Sequence, residues 1–376
     1  MKKNLLFVIP QLDVGGAETQ LLNLVKGIDK SKFRIYVCNL SENQNKLEKE
    51  FKKLDINMVE IYKKSKYDIG IVFRLKKFIK DNNIDIVHST LNNFWPRVAS
   101  IMIYKRPILI ASERSIDNWW KKKYHFLADN FLAKFTDVMV CNSFKIKEFY
   151  EIKVPNLKDK IDVIYNGVLS EKFKTISEDE KHELKKQYKI DDDDIVFGIV
   201  AGLRDVKDHM TLLKAVNLLK NYNQNFKLLI IGDGKNRDKI NEYIKENNLT
   251  NYIKMIGETS DVHKFLNIID IGIICSIQEG LSNSIIEYML CKSPVIATNV
   301  GGNVELVENN ERGFLINVGD FEELSNKMLF FIKNKEIIKS YGENSYKYAY
   351  ENFKYENMIE SYENLYEKLI DFRKNG

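Results

Sequence analysis

Two successive series of short apolar runs, each alternating with amphipathic stretches, set the narrowest limit on what this 376-residue chain can fold into. Runs of about four to eight apolar residues bounded by turn residues read as buried strands. The longer segments between them, apolar at every third or fourth position, read as helices. Strands and helices in strict alternation form a parallel sheet covered by helices on both faces. The first series predicts strands at 5–10, 33–40, 57–61, 85–89, 107–112, 137–142 and 161–168, with helices at 17–26, 69–81 and 122–135 among the segments between them. The second predicts strands at 195–201, 226–232, 253–257, 271–276, 294–298 and 313–316, with helices at 206–221, 237–247, 262–267 and 284–291. Between the series, residues 171–194 are polar and read as an interruption. They end in Asp191–Asp194, which before a strand is expected to be a solvated turn and not a metal site. The fold expected is α/β, two Rossmann-like doubly wound domains facing across a cleft lined by strand C-termini.

A chain of this length suits two domains, and 44% hydrophobic residues suffice for two cores. No apolar run approaches the roughly 18 residues that span a bilayer. Met1–Pro10 has the charge of a signal peptide but too short an apolar run, and reads as a first buried strand. Cys38, Cys141, Cys275 and Cys291 stand singly in apolar segments without metal-ligand spacing, as core residues in a reducing cytosol do. Charge divides unevenly. Residues 1–168 hold 30 Lys and Arg against 19 Asp and Glu (net +11), and the rest 28 against 34 (net −6). A basic first half suits anionic lipid or an anionic acceptor, and no nucleic-acid motif accompanies it.

The segment Glu279-Gly280-Leu281-Ser282-Asn283-Ser284-Ile285-Ile286-Glu287 follows an expected strand and opens an expected helix. Free N–H groups and the dipole at a helix N-terminus attract anions. A carboxylate on either side can only accept hydrogen bonds, so the ligand that fits carries hydroxyls as well as phosphate. A nucleotide sugar has that mix. Ser284-x-x-Glu287 also has the spacing of a capping box, which needs no ligand.

Three further turns carry chemistry of this kind. Gly15 and Gly16, between the first strand and helix, lack a Cβ and let backbone approach a phosphate or sugar, though they are not a dinucleotide fingerprint. At the equivalent point of the second series stand Arg204 and Lys207, a guanidinium fork and a point charge able to grip a diphosphate. Asp205 and Asp208 there have N-cap and N3 spacing and read as caps. Gly232-Asp233-Gly234 and Val300-Gly301-Gly302-Asn303 are glycine-rich tips expected to close the cleft.

Together these residues resemble the family 4 retaining glycosyltransferases (glycosyl transferases group 1), which have the two-Rossmann-domain fold called GT-B. The resemblance spans nearly the whole chain and is strongest from Ile199 to Asp320. It implies an N-terminal acceptor domain over 1–168, a C-terminal nucleotide-sugar domain over 169–352 and a helix over 353–376 packed back on the first domain. That last helix matches a pattern of Tyr355, Met358, Tyr362, Leu365 and Leu369. The family's Glu-x7-Glu motif matches Glu279 and Glu287. The resemblance assigns Glu287 to ribose hydroxyls, Glu279 to the transferred sugar, Arg204 and Lys207 to the leaving diphosphate, and Gly16 to the donor from the other domain. Backbone near Met255–Glu258, Gly257 included, would read the base. The reaction implied is sugar transfer from a nucleoside diphosphate, UDP before GDP, to a hydroxyl of a glycan or lipid-linked acceptor, with retention. It needs no cofactor and no metal, the two cations standing in for one.

Two departures from the family pattern matter. Its commonest phosphate Arg stands five residues before the Lys, where this chain has Gly202, so the role passes to Arg204. Many members carry a His after the fifth strand, where this chain reads Ala111-Ser112-Glu113-Arg114; His88, at another strand end, is the histidine left as a catalytic candidate. Trp119-Trp120-Lys121-Lys122-Lys123-Tyr124 suits an interface with anionic headgroups, which would place a cytoplasmic protein at the inner face of the plasma membrane. The competing readings are a nucleotide-sugar epimerase of the UDP-N-acetylglucosamine 2-epimerase type and a non-catalytic scaffold on the same fold.

Overall fold

The computed structural model describes residues 2–43, 45–65, 68–116, 121–173, 175–222 and 225–375. The chain forms two compact units, Met1–Gly167 with Tyr355–Gly376, and Val168–Lys354.

The first unit is built on β1 (Lys3–Ile9), β2 (Phe33–Asn39), β3 (Asn57–Glu60), β4 (Ile86–Ser89), β5 (Ile108–Glu113), β6 (Val138–Cys141) and β7 (Ile161–Val163). Their order is β3-β2-β1-β4-β5-β6-β7, and every pairing is parallel. Leu5 to Ile9 are all fully buried, because helices cover both faces of this sheet. The second unit holds β8 (Ile195–Val200), β9 (Phe226–Ile231), β10 (Ile253–Gly257), β11 (Ile271–Ile274), β12 (Val295–Thr298) and β13 (Gly313–Ile316), in the order β10-β9-β8-β11-β12-β13, again parallel throughout. Each sheet reverses strand order once, at β1/β4 and at β8/β11, and ligands of doubly wound sheets bind at such reversals.

The helix Tyr355–Asn375 belongs to the first unit, where Met358, Tyr362, Leu365 and Tyr366 join the core beneath β1. The Tyr355 hydroxyl donates to Asn23 O at 2.9 Å, and Glu363 accepts from Asp29 N–H at 2.7 Å. A Cβ on Gly167 would stand 3.0 Å from the Tyr355 Cα, so this glycine lets the two backbones meet.

Four expectations are corrected here. β7 stops at Val163 and not at Val168, because the chain leaves the sheet to meet the C-terminal helix at Gly167. Residues 171–194 do not interrupt the helical pattern: they contain the helix Glu178–Gln187, with a Ser177/Glu180 capping box. None of its residues is buried, so it has no apolar stripe to reveal it. Asp191–Asp194 does turn, but Asp194 is buried against Lys227 at 2.9 Å instead of solvated. The expected helix 206–221 is broken at Asp208 (φ 42°) into a short 3-10 turn, Asp205–Lys207, and the helix His209–Leu219.

Candidate functional site

The second unit brings together the two loops expected to hold the donor. After β8, Leu203 is buried and Arg204 lies extended and exposed at the entry to the Asp205–Lys207 turn. Among the described residues the Arg204 guanidinium makes no hydrogen bond or ion pair. Asp208, in left-handed backbone, caps the next helix by accepting from Thr211 N–H (3.3 Å) and Oγ1–H (2.6 Å). Asp205 is no cap: its carboxylate pairs with Lys235 and accepts from Asn236 Nδ2 at 2.8 Å.

After β11, the loop 275–282 runs beside this turn, and Ile277 N–H donates to Val206 O at 2.8 Å. That bond places Lys207 against Glu279, and the two form an ion pair with side chains 21% and 11% exposed. Ser276 Oγ donates to the same Glu279 oxygen at 2.6 Å. The helix Asn283–Leu290 follows, with Gly280, Leu281 and Ser282 buried, and Ser282 at its N-cap makes no side-chain capping bond. Ser284 is not the cap of a capping box. Its hydroxyl turns away and donates to Val200 O at 2.9 Å.

A tyrosine fixes this helix to β8. The Tyr288 hydroxyl accepts from Val200 N–H at 2.8 Å and donates to Gly198 O at 3.0 Å. The β8/β11 ladder pairs only Phe197 and Gly198, so beyond it the hydroxyl takes the place of a strand partner at the point of reversal. Gly272 makes room for the ring, since a Cβ there would stand 2.4 Å from it.

The glycine tips are scaffolding for these loops. Gly301 (φ 49°) lies against Glu279, where a Cβ would come within 1.8 Å of the Glu279 carbonyl oxygen, and Gly302 N–H donates to Gly280 O at 2.6 Å. Gly232 and Gly234 pack in the same way on Ala201 and Leu203. Gly257 (φ 88°) ends β10, and its carbonyl accepts from Gly232 N–H at 2.8 Å.

Beside these loops a cavity of about 730 Å³ opens within the second unit, walled by Val200, Glu287, Phe173, Ser177, Ser260 and His263 among others. Glu287 and Val200 tie it to the helix and strand that carry these loops. The walls from 171–180 and 260–263 are not foreseen in the sequence, because the first of those segments reads as a polar interruption. The hold of Ser276 on Glu279 and the Tyr288 clamp also leave no spacing signal, since Ser276 and Tyr288 read as the end of a strand and the inner face of a helix.

The first-unit candidates fare differently. Gly15 is the N-cap of the helix Gly16–Gly27, and the Glu18 carboxylate lies in front of it, 2.4 Å from where a Cβ would be. The chain's own anion therefore stands at the helix N-terminus where the donor was expected. His88 is a core residue, which corrects its reading as a catalytic group. It is 1% exposed, packs on Phe7, Tyr362 and Tyr366, and its Nδ1 lies 2.8 Å from the Tyr366 hydroxyl. Trp119 and Trp120 lie outside the described residues. Among the described residues no group of His, Cys, Asp and Glu could hold a metal, and no helix is long and apolar enough to cross a membrane.

Burial, helped by the charge of Arg114, lowers the His88 pKa to about 3. The fold keeps this ring neutral, whereas the unfolded chain takes up the proton near pH 6.5. Its contribution is therefore complete above about pH 6.5 and is lost as the pH falls from there toward 3. His209, buried and with no partner for either ring nitrogen among the described residues, is lowered to about 4 and acts in the same direction. Melting temperatures should fall between about pH 7 and pH 5, and less steeply in His88→Phe. Equal slopes for the two proteins would show that His88 has no part in it.

Two family descriptions match the chain, Glycosyltransferase Family 4 over residues 14–172 and Glycosyl transferases group 1 over 180–348. The chain is a family 4, group 1 glycosyltransferase. This glycosyltransferase is 29% identical to an uncharacterised glycosyltransferase of Methanocaldococcus jannaschii, over 95% of this chain and 96% of that one. It is 26% identical to the capsular polysaccharide biosynthesis glycosyltransferase CapM of Staphylococcus aureus, over 86% and 88%. Its fold is that of Anabaena HepE, solved in complex with UDP, with a TM-score of 0.85 at 20% identity over 98% of this chain and 100% of that one. The two-domain GT-B architecture expected from the sequence is the one found.

Proposed function

We propose that this glycosyltransferase moves a hexose from a nucleoside diphosphate, UDP before GDP, to a hydroxyl of a glycan or lipid-linked acceptor with retention at the anomeric carbon. The observation that carries the reading is the Lys207–Glu279 pair beside a helix N-terminus that Ser282 leaves without a side-chain cap. Lys207 has three N–H donors and spends one on Glu279, so it can bind a phosphate oxygen while still holding the carboxylate. Arg204, exposed at the same turn, supplies the second cation, and the two do the work that a metal does elsewhere. Backbone N–H groups of Gly280 to Asn283 face the same charge. Glu279 accepts from hydroxyls of the sugar. Glu287 accepts from the ribose and lines the 730 Å³ cavity beside it.

The C1–O bond to the diphosphate breaks as the acceptor oxygen bonds to C1 on the same face. The acceptor proton passes to the departing phosphate oxygen, so no protein base is required. Cations and helix N–H groups stabilise the charge that develops on that oxygen. The capsular relative and the UDP-bound structural neighbour favour a glycan acceptor and a uridine donor. Free buried thiols at Cys38, Cys141 and Cys275 fit a cytoplasmic site of action. A 2-epimerase would need acid–base side chains at the sugar, and His88 is in the core.

Thermal unfolding with UDP, GDP, ADP and CMP, on wild type and Glu287→Ala, tests the donor site. Ligand at about 100 times Kd adds roughly 2.7 kcal/mol of stability. A shift with UDP that Glu287→Ala abolishes is expected. No shift with any nucleotide would leave the scaffold reading standing instead.

A further inference from the structure

We propose that Asn92, clamped by the buried Arg97–Asp129 pair, is a positioning residue for the acceptor: it locks the turn 90–93, after β4, in strained backbone. Leu91 (φ 53°) and Asn92 (φ 46°) both lie in the left-handed region. Four other non-glycine residues found there, Asn83, Lys189, Asn248 and Lys292, each stand one position past a helix C-cap, where such backbone is common. Leu91 and Asn92 instead follow a strand and stand side by side. Leu91 also lacks the polar side chain by which Asn or Asp offsets the strain.

Side chains hold the turn in place. Thr90 Oγ1 donates to Val8 O and Ser89 Oγ to Asn93 O, each at 2.9 Å. A closed ring of buried groups does the rest. Arg97, fully buried on the helix Phe94–Ile101, donates from Nη1 to Asn92 Oδ1 at 2.6 Å and to Asp129 Oδ1 at 2.7 Å. Asn92 Nδ2 donates to Asp129 Oδ2 at 3.0 Å and completes the ring. Asn92 therefore has both ends of its amide on one ion pair, and cannot turn away without leaving buried charge short of a hydrogen bond. Asp129 lies on the helix Lys123–Ala133, which faces Tyr124, Leu127 and Phe131 outward and this carboxylate inward. Arg97 Nε has no partner among the described residues. Burying a charged pair stabilises a core less than burying those apolar side chains would, so the ring is explained by what it holds.

The turn stands where the first sheet reverses strand order. β4 lies beside β1, and doubly wound folds bind ligands off the C-terminal strand ends at that point. Strained backbone persists where its surroundings over-determine it, and it concentrates at ligand sites. With the donor on the second unit, the ligand for this reversal is the acceptor; that assignment rests on the reading above, whereas the lock itself does not. Leu91 is half-buried and Phe94 is 42% exposed. Between them, Asn93 Oδ1 accepts from Trp95 N–H at 3.1 Å, which leaves its Nδ2 to donate. Apolar surface beside an amide suits a sugar ring and its hydroxyl.

Hydrogen exchange over residues 89–94, with melting temperatures, tests the lock without any ligand. Asn92→Gly removes the anchor and the left-handed strain together. Exchange over the turn should quicken at least about tenfold while the melting temperature moves by only a few degrees. Asn92→Ala removes the anchor and keeps the strain, so it should show the same exchange and melt below Asn92→Gly. Unchanged exchange in both variants, or Asn92→Ala melting at or above Asn92→Gly, would overturn the lock. Release of UDP from UDP-glucose and UDP-N-acetylglucosamine, with and without a panel of octyl glycosides, tests its use. Both variants should raise the acceptor KM at least about tenfold and leave the donor KM within about twofold, a selectivity that general loss of structure does not produce. Equal effects on the two KM values would overturn the positioning role. Wild type without acceptor-stimulated release would sink the acceptor reading and this use of the turn, while nucleotide-induced thermal shifts still report on the donor site alone.

Discussion

Replacing Lys207 with methionine is expected to lower sugar transfer about 10²- to 10³-fold while leaving the protein folded. The figure is that of losing one preorganised contact to the charge that develops in a transition state, roughly 3 to 4 kcal/mol. Methionine keeps the packing of the stem and removes the ammonium. Glu279 then loses its ion-pair partner but keeps the 2.6 Å bond from Ser276. Because both partners are partly open to solvent, the stability cost should stay near 1 kcal/mol. Two roles of the lysine can be separated by a double-mutant cycle with Glu279→Gln. If Lys207 acts only by holding Glu279, the double variant should be no slower than Glu279→Gln. If it also binds the diphosphate, the double variant should be slower still. Turnover of the lysine variant within threefold of wild type would remove Lys207 from the mechanism.

A second large effect is expected at Gly301. Alanine there must adopt φ near 49°, and its Cβ would fall 1.8 Å from the Glu279 carbonyl oxygen. Backbone cannot rotate away as a side-chain tip can, so the loop that carries Glu279 has to move. We expect Gly301→Ala to cost on the order of 3 kcal/mol in denaturant unfolding, and to lose donor binding as well. Gly319→Ala is the control. It also has left-handed backbone (φ 77°) but nothing within 4 Å of the added Cβ, so it should cost only about 1 kcal/mol. Equal losses at the two glycines would mean that backbone conformation accounts for the whole effect and that the contact with Glu279 adds nothing.

These two predictions differ in how far the sequence alone could have carried them. Lys207 and Glu279 stand out because each follows a strand of a doubly wound pattern, and the fold brings strand ends to one edge. The Ser276 bond, the Gly301 contact and the Tyr288 clamp join residues that share no spacing. His88 and Gly15 show the opposite case, where a suggestive position proves to be filled by aromatic packing or by the chain's own Glu18.

The sequence by itself determined the two parallel sheets. Residues such as Leu5 to Ile9, apolar without a break, can be buried only where helices cover both faces of a strand. It also determined which loops would carry charge at the strand ends. What only the tertiary structure decided was orientation and partnership. The helix Glu178–Gln187 has no apolar stripe and owes its start to a capping box. The helix Lys123–Ala133 has a stripe, yet turns it outward and buries Asp129 against Arg97. Periodicity shows that a helix has an apolar side, but the direction that side faces depends on what the rest of the chain has already buried.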